Sequence, residues 1–303
     1  MIIYLDQNKW IELAKMFHGK DNSARARQVL KDYECTTREG LATLPLSSVH
    51  YIEMSRISSV ERKVRLGAAM WHFSKGKTLI GYPAIVRHEF EAALAKHVPE
   101  ITPGELQIIG KGHAHAFCTP PLQGLLKLYE EDVERGLLVG HEPWGIKPPA
   151  HSDTTHRENF RQNLSTIHQR NDDVPMELRE NWLYATSMID ILDPMNDVRQ
   201  KHQLRDGLLE ELGEERLKQV LNDMPTRQLD LHLRRQVLRN RQYVPHHSDL
   251  EDWGGVAVAA CYCDVVICEK HMAHMMRRDG FIPRARVEVN LEDAFTKIAA
   301  WIR

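Results

Sequence analysis

Along the chain, hydrophobic positions gather in short unbroken runs near both ends and at helical spacing in between. Met1 to Leu5 (MIIYL) is such a run, and a wholly apolar stretch of this length reads as a strand buried on both faces, as in the middle of a parallel sheet. It stops abruptly at Asp6, Gln7 and Asn8, where a helix is predicted over Gln7 to Phe17. A second helix is expected near Asn22 to Glu34. A strand at Leu41 to Leu46 then leads into SSVHYIEMSRI, a helix for which Ser47 or Ser48 is a natural N-cap. Val60 to Phe73 is helical in pattern. Lys77 to Val86 reads as a strand or an extended loop, followed by a helix at Arg87 to Lys96.

Between about Pro99 and Met224 the pattern changes. PPLQG, HEPWGIKPPAHSD and NDDVPME are proline-punctuated breaks between amphipathic helical pieces, with no strand-like alternation. The strand and helix grammar then returns: LEDWGGVAVAACY as a small-residue helix, DVVICEK as a buried strand, HMAHMMRRDG as a helix closed by Gly280, RVEVN as a strand and LEDAFTKIAAWI as a last helix. Alternating units at both ends imply an α/β fold with one parallel sheet assembled from N- and C-terminal segments. The expected organisation is therefore residues 1–95 and 226–303 as two parts of one domain, with a helical insertion at 96–225.

Composition narrows the class without choosing a function. Of 303 residues, 42% are hydrophobic and 27% charged, which excludes a largely disordered chain. A formal net charge of -2 excludes a uniformly basic nucleic-acid coat, though not a local basic patch. No secretory signal is read at the N-terminus, and the longest apolar stretch, Trp253 to Cys268, is interrupted by Asp264 and too short for a membrane span. A cytoplasmic protein is expected. The five cysteines, Cys35, Cys118, Cys261, Cys263 and Cys268, make neither a disulfide framework nor four-cysteine zinc spacing. Cys261 and Cys263 read as core residues.

The acidic residues change the picture because of where they fall. Asp6 ends the first strand, Glu53 lies on the helix leaving the second, Asp249 and Asp252 begin the helix before the next, and Glu269 follows that strand. In open α/β sheets ligands bind outside the carboxyl ends of the strands, so the sheet could bring these five to one crevice. Clustered carboxylates raise one another's pKa unless a cation sits among them, and oxygen donors without matching histidines or cysteines select Mg²⁺ or Mn²⁺. Such ions support phosphodiester hydrolysis. Each residue also has a structural alternative: Asp6 as a helix cap, Asp249 and Asp252 as first-turn acids at a helix dipole, Glu251 with Ser248 as a capping box. Gly254 and Gly255, just inside that helix, point to close backbone approach.

YLDQN, VHYIEMS and SDLEDWGGVAVAACYCDVVICEK together resemble the PIN-like metal-dependent nucleases, over residues 1 to 95 and 226 to 303. The resemblance implies a three-layer fold around a parallel sheet and a divalent-metal-dependent endonuclease, with RNA rather than DNA as substrate. It implies metal binding by Asp6, Glu53, Asp249 and Asp252, with Glu269 as the last acid of the site and Asn8 as a hydrogen-bonding support. Two departures from the pattern are Cys268, where Thr or Ser is common, and Glu269 in place of Asp. A stand-alone nuclease needs restraint, which suggests a toxin or phage-defence role with an inhibitory partner. Two rival readings are a catalytically degenerate module that binds RNA or a protein, and a haloacid-dehalogenase-type phosphatase, whose second Asp would stand where Asn8 does.

A path for the nucleic acid is suggested by PTRQLDLHLRRQVLRNRQYVPHH. Pro225 suits the first turn of a helix, and Arg227, Arg234 and Arg241 recur every seven residues, within about 40° of one another on a 3.6-residue helix. They are expected on an exposed face touching phosphates, with Tyr243 stacking a base, while Leu229, Leu233 and Val237 face the core. HAHAFC, with His113, His115 and Cys118, lacks a nameable fourth zinc ligand and reads as structural or RNA-facing.

Overall fold

The computed structural model describes residues 1–139, 158, 161–162, 164–166, 174–240, 242–244 and 249–295. Two units divide the chain: one is formed by 1–81, 108–154 and 254–303, the other by 82–107 and 155–253. The boundaries expected from the sequence are thus displaced. The helix after the second strand and the arginine-rich helix belong to the second unit, while the residues just after 107 return to the first.

The first unit carries a parallel sheet of three strands in the order β1 (Ile3–Leu5), β4 (Val265–Ile267), β5 (Arg286–Glu288). Leu5 is in register with Ile267, and Ile267 with Glu288. IYL and VVI are buried at every position, as unbroken apolar runs require when both faces of a sheet are covered. The expected strand at Leu41 to Leu46 is reduced to two isolated parallel bridges, Ile2 to Thr43 and Leu46 to Thr78. Lys77–Leu79 is a strand, β2, paired antiparallel with β3 at Ile109–Lys111. β3 lies inside the region read as purely helical; three residues, IGK, are too few to show alternation.

Around this sheet run α1 (Gln7–Phe17), α2 (Ala24–Arg38), α3 (Ser48–Arg56) and α4 (Val60–Ser74). Trp10, Leu13, Tyr33, Met54, Met70 and Phe73 pack with Ile3, Leu5, Val265 and Ile267 in one core. The final helix read from LEDAFTKIAAWI is a 3-10 stretch over Leu291–Phe295; residues 296–303 lie outside the described residues. The second unit is helical: Val86, Phe90 and Leu94 pack with Met195, Val198, Leu221 and Met224. Among the described residues the protein is mostly helical with a small parallel sheet, compatible with the α/β expectation, and no described helix is long and apolar enough to cross a membrane.

The glycine pair divides in function. A Cβ on Gly255 would lie 2.8 Å from the Tyr4 hydroxyl and 3.2 Å from Val49 Cγ2, whereas one on Gly254 would meet nothing within 4 Å. Gly255 thus lets a stretch of π-helix, Trp253–Ala257, lie against the first strand. Gly255→Ala is expected to destabilise the fold by about 1 to 3 kcal/mol through overpacking, and Gly254→Ala to be neutral or stabilising by up to about 1 kcal/mol. Thermal melts of the two variants check this; equal midpoints would contradict it.

Candidate active site

β1 and β4 are adjacent and parallel, so the residues just after them emerge side by side. The Asp6 amide donates to the Ile267 carbonyl at 2.9 Å, which carries the pairing one residue past the strand. Asp6 is also the N-cap of α1, its carboxylate accepting from the Gln7 amide at 2.8 Å. The capping and functional readings of this residue are therefore compatible. Across the strand pair Glu269 begins the helix Lys270–Arg277, and the Asn8 side-chain amide donates a hydrogen bond to it. Asn8 thereby fixes the orientation of Glu269 from the first turn of α1.

Asp6 is buried, and burial raises its pKa to about 6; its bond from Gln7 opposes the rise, and the charge of Glu269 adds to it. Gln7 is also buried, and neither atom of its side-chain amide has a protein partner. Glu53, half-buried on α3, contributes with Asp6 to the field at Tyr4, whose hydroxyl is pushed well up first by burial. Tyr4 Oη and Ser47 Oγ share a hydrogen bond of 3.0 Å.

His50, absent from the sequence reading, ties these pieces together. Its Nδ1 accepts from the Ser47 amide at 2.8 Å, so its Nε2 carries the proton and donates to the Leu5 carbonyl at 2.9 Å. Burial lowers its pKa to about 4, keeping the ring neutral in this bridge. The signal was available: a histidine inside the apolar run VHYI, one turn before Glu53. Its effect is to join the end of the Asp6 strand to the start of the Glu53 helix.

Asp249 and Asp252 lie in the second unit. Asp249 is buried and accepts from the Tyr243 hydroxyl at 2.7 Å. That hydroxyl is pushed up by burial, by its bond to Asp249, and by the charges of Asp249 and Asp252. Tyr243 is therefore a buried partner of Asp249 rather than an exposed stacking platform. Ser248 of the expected capping box lies outside the described residues; Glu251 is buried.

The arginine face is corrected as well. Leu229, Leu233 and Val237 are buried as expected, but so are Arg227 (4% exposed) and Arg234 (1%). Arg234 Nε donates to Asp230 at 2.8 Å and its terminal nitrogen to Asp190; Arg227 lies 3.3 Å from Asp230 and donates to the Tyr82 hydroxyl. Guanidiniums so enclosed are not presented to a polyanion. Arg241 lies outside the described residues. Of HAHAFC, His113 donates its backbone amide to Glu134 at 2.7 Å, and His115 Nδ1 shares a bond of 2.9 Å with Thr78 Oγ1. Cys261 and Cys263 are buried, as read.

The first unit thus brings together Asp6, Asn8 and Glu269, with Glu53 on the neighbouring helix. Among the described residues no three His, Cys, Asp or Glu side chains surround a common point. Compared with known protein families, with curated proteins and with solved structures, the chain matches none.

Proposed function

We propose that this protein is a divalent-metal-dependent phosphodiesterase acting on nucleic acid, of the PIN-like kind that its sequence resembles, with RNA as the substrate that resemblance implies. One observation carries the reading: Asp6 and Glu269 follow adjacent parallel strands at the carboxyl edge of the sheet, where α/β sheets place their ligands. The donor chemistry fits a hard cation. Two carboxylates and a neutral amide offer only oxygen ligands. The raised carboxyl of Asp6 reflects burial and a like charge, both of which a cation would offset. Mg²⁺ commonly takes one or two protein carboxylates and keeps water and substrate phosphate for the rest.

In this reading Asp6 and Glu269 would hold the ion, while Glu53 lies on the neighbouring α3 without converging with them on a common point. When bound, such an ion would lower the pKa of a water nucleophile and offset charge on the phosphoryl oxygens. The chain's own part is orientation. Asn8 fixes Glu269, the α1 amide fixes Asp6, and the neutral His50 holds β1 against α3. The unsatisfied amide of Gln7, in the same turn as Asp6, is a polar group that a water or a substrate oxygen would satisfy.

A second reading, a non-catalytic module binding RNA or a protein, is favoured by the lack of a third converging ligand among the described residues. Titration calorimetry with Mn²⁺ separates the two. The metal reading expects one saturable binding event, absent in Asp6→Asn. Affinity should be about tenfold weaker at pH 5 than at pH 7, because below a pKa of about 6 the proton on Asp6 competes with the ion. No heat of binding, with no cleavage of RNA or DNA in Mn²⁺, would leave the module reading.

A further inference from the structure

The buried arginines leave open where a polyanion would lie, and the first unit holds a better candidate. A half-open groove of about 560 Å³ lies between α1, the end of α3 and the first turns of α4. Its floor is apolar, with Ile11, Ala14, Ile57 and Leu66, and its rim carries Lys15, His18, Lys20, Arg62 and Arg65 against one acid, Glu61. Two of these rim groups are already engaged: His18 Nε2 donates to the Arg65 carbonyl at 2.8 Å, and Arg65 pairs with Glu61 at 2.9 Å. Lys15, Lys20 and Arg62 are exposed and, among the described residues, have no carboxylate within ion-pair distance.

The local structure explains only part of this charge. Lys15 is in the last turn of α1, where a cation complements the helix dipole. Arg62 is in the first turn of α4, after the N-cap Ser59, where the dipole disfavours a cation. An anion in the groove would reconcile Arg62 with its position. The groove is also connected to the candidate site through the chain. α1 starts at the Asp6 cap and reaches Lys15 about 14 Å later at 1.5 Å per residue. Ile57 on the floor stands four residues after Glu53, the spacing of one helix face.

We infer that this groove binds the sugar-phosphate backbone of a single-stranded nucleic acid, Lys15, Lys20 and Arg62 meeting phosphates while an unpaired base or sugar covers Ile11, Ile57 and Leu66. The inference rests on the nucleic-acid reading above and adds the path of the strand. A single strand is the partner that fits, because its bases are free to cover an apolar floor, whereas a duplex keeps them stacked within.

The test uses the Asp6→Asn chain, so that binding is read without cleavage, and a fluorescently labelled single-stranded oligouridylate over a range of salt concentrations. Adding Lys15→Gln and Arg62→Gln is expected to weaken binding about tenfold and to flatten the slope of log affinity against log salt by about 1.4, two phosphate contacts at about 0.7 each. Unchanged affinity and slope would overturn the inference, as would tighter binding of a duplex of equal length. The outcome is separable from the hydrolytic reading. If the salt effect appears while the wild-type chain cuts nothing in Mn²⁺, the groove stands and hydrolysis falls; if the wild type cuts and the double substitution changes neither binding nor slope, the reverse holds.

Discussion

Asp6→Asn is expected to abolish metal-dependent cleavage, with a fall of at least about 100-fold, and at the same time to raise thermal stability at neutral pH. The loss follows from the proposed reading, in which the Asp6 carboxylate at the sheet edge would hold the ion. The gain follows from linkage. The pKa of Asp6 is raised by burial, and by Glu269, from 3.8 to about 6, so the folded state holds its proton more tightly than the unfolded chain. Its favourable contribution is complete below about pH 4 and is lost as pH rises through 6. Above that the ionised group costs on the order of 2 to 3 kcal/mol. Asn carries no such cost and still caps the helix. The stability difference between variant and wild type should therefore be greatest at pH 8 and vanish near pH 4. His50 titrates in the opposite sense. Its lowered pKa, about 4, withdraws stability from both proteins as pH falls below 6.5, so the difference between them is the informative quantity. Cleavage by Asp6→Asn at the wild-type rate would refute the metal-site reading.

Asp230→Ala should produce the largest loss of stability in the helical unit, about 3 to 5 kcal/mol. Burial raises the pKa of this carboxyl, but Arg234 and Arg227 outweigh burial and hold it below its usual range. It accepts from Arg234 Nε and from Ser187 Oγ, each at 2.8 Å. Removing it leaves two guanidiniums enclosed with Asp190 and, beside Arg227, Glu89 as nearby acids, and buried charge that has lost its bonded partner is the costly outcome. Arg235→Gln, which breaks the outer pair with Glu180, should cost less than about 1 kcal/mol. Chemical denaturation of both variants checks the contrast; similar midpoints would show that the network contributes little.

These arginines mark the limit of what the sequence could disclose. The start of their helix at Pro225 and the burial of Leu229, Leu233 and Val237 were legible because a helix boundary and an apolar stripe are local properties. The surface assignment of Arg227 and Arg234 failed because the helix is covered on more than one side. Asp230 stands three residues after one arginine and four before the other, and reads as a lone minority charge until Asp190 and Ser187 arrive from a distant helix. The adjacency of Asp6 and Glu269 was legible for a different reason: each follows an unbroken apolar run, and a parallel sheet aligns the ends of its strands. The unit boundaries were not. Helix Tyr82–Leu94 follows a strand in the grammar of an alternating fold, yet it packs with helices from beyond residue 190. Asp249 and Asp252 read like the other acids, but they lie in the second unit, where Tyr243 engages Asp249.

The pairing of β1 with β4 also sets a schedule. Asn8 and Glu269 are 261 positions apart, so a chain emerging from the ribosome has Asp6 long before it has the strand that brings Glu269 beside it. Domains form from the N-terminus during synthesis at roughly 5 to 20 residues per second. At that pace Asp6 waits on the order of ten seconds or more for its neighbour. Throughout that interval a nascent chain, tethered to its own messenger, holds at most an incomplete form of the proposed site.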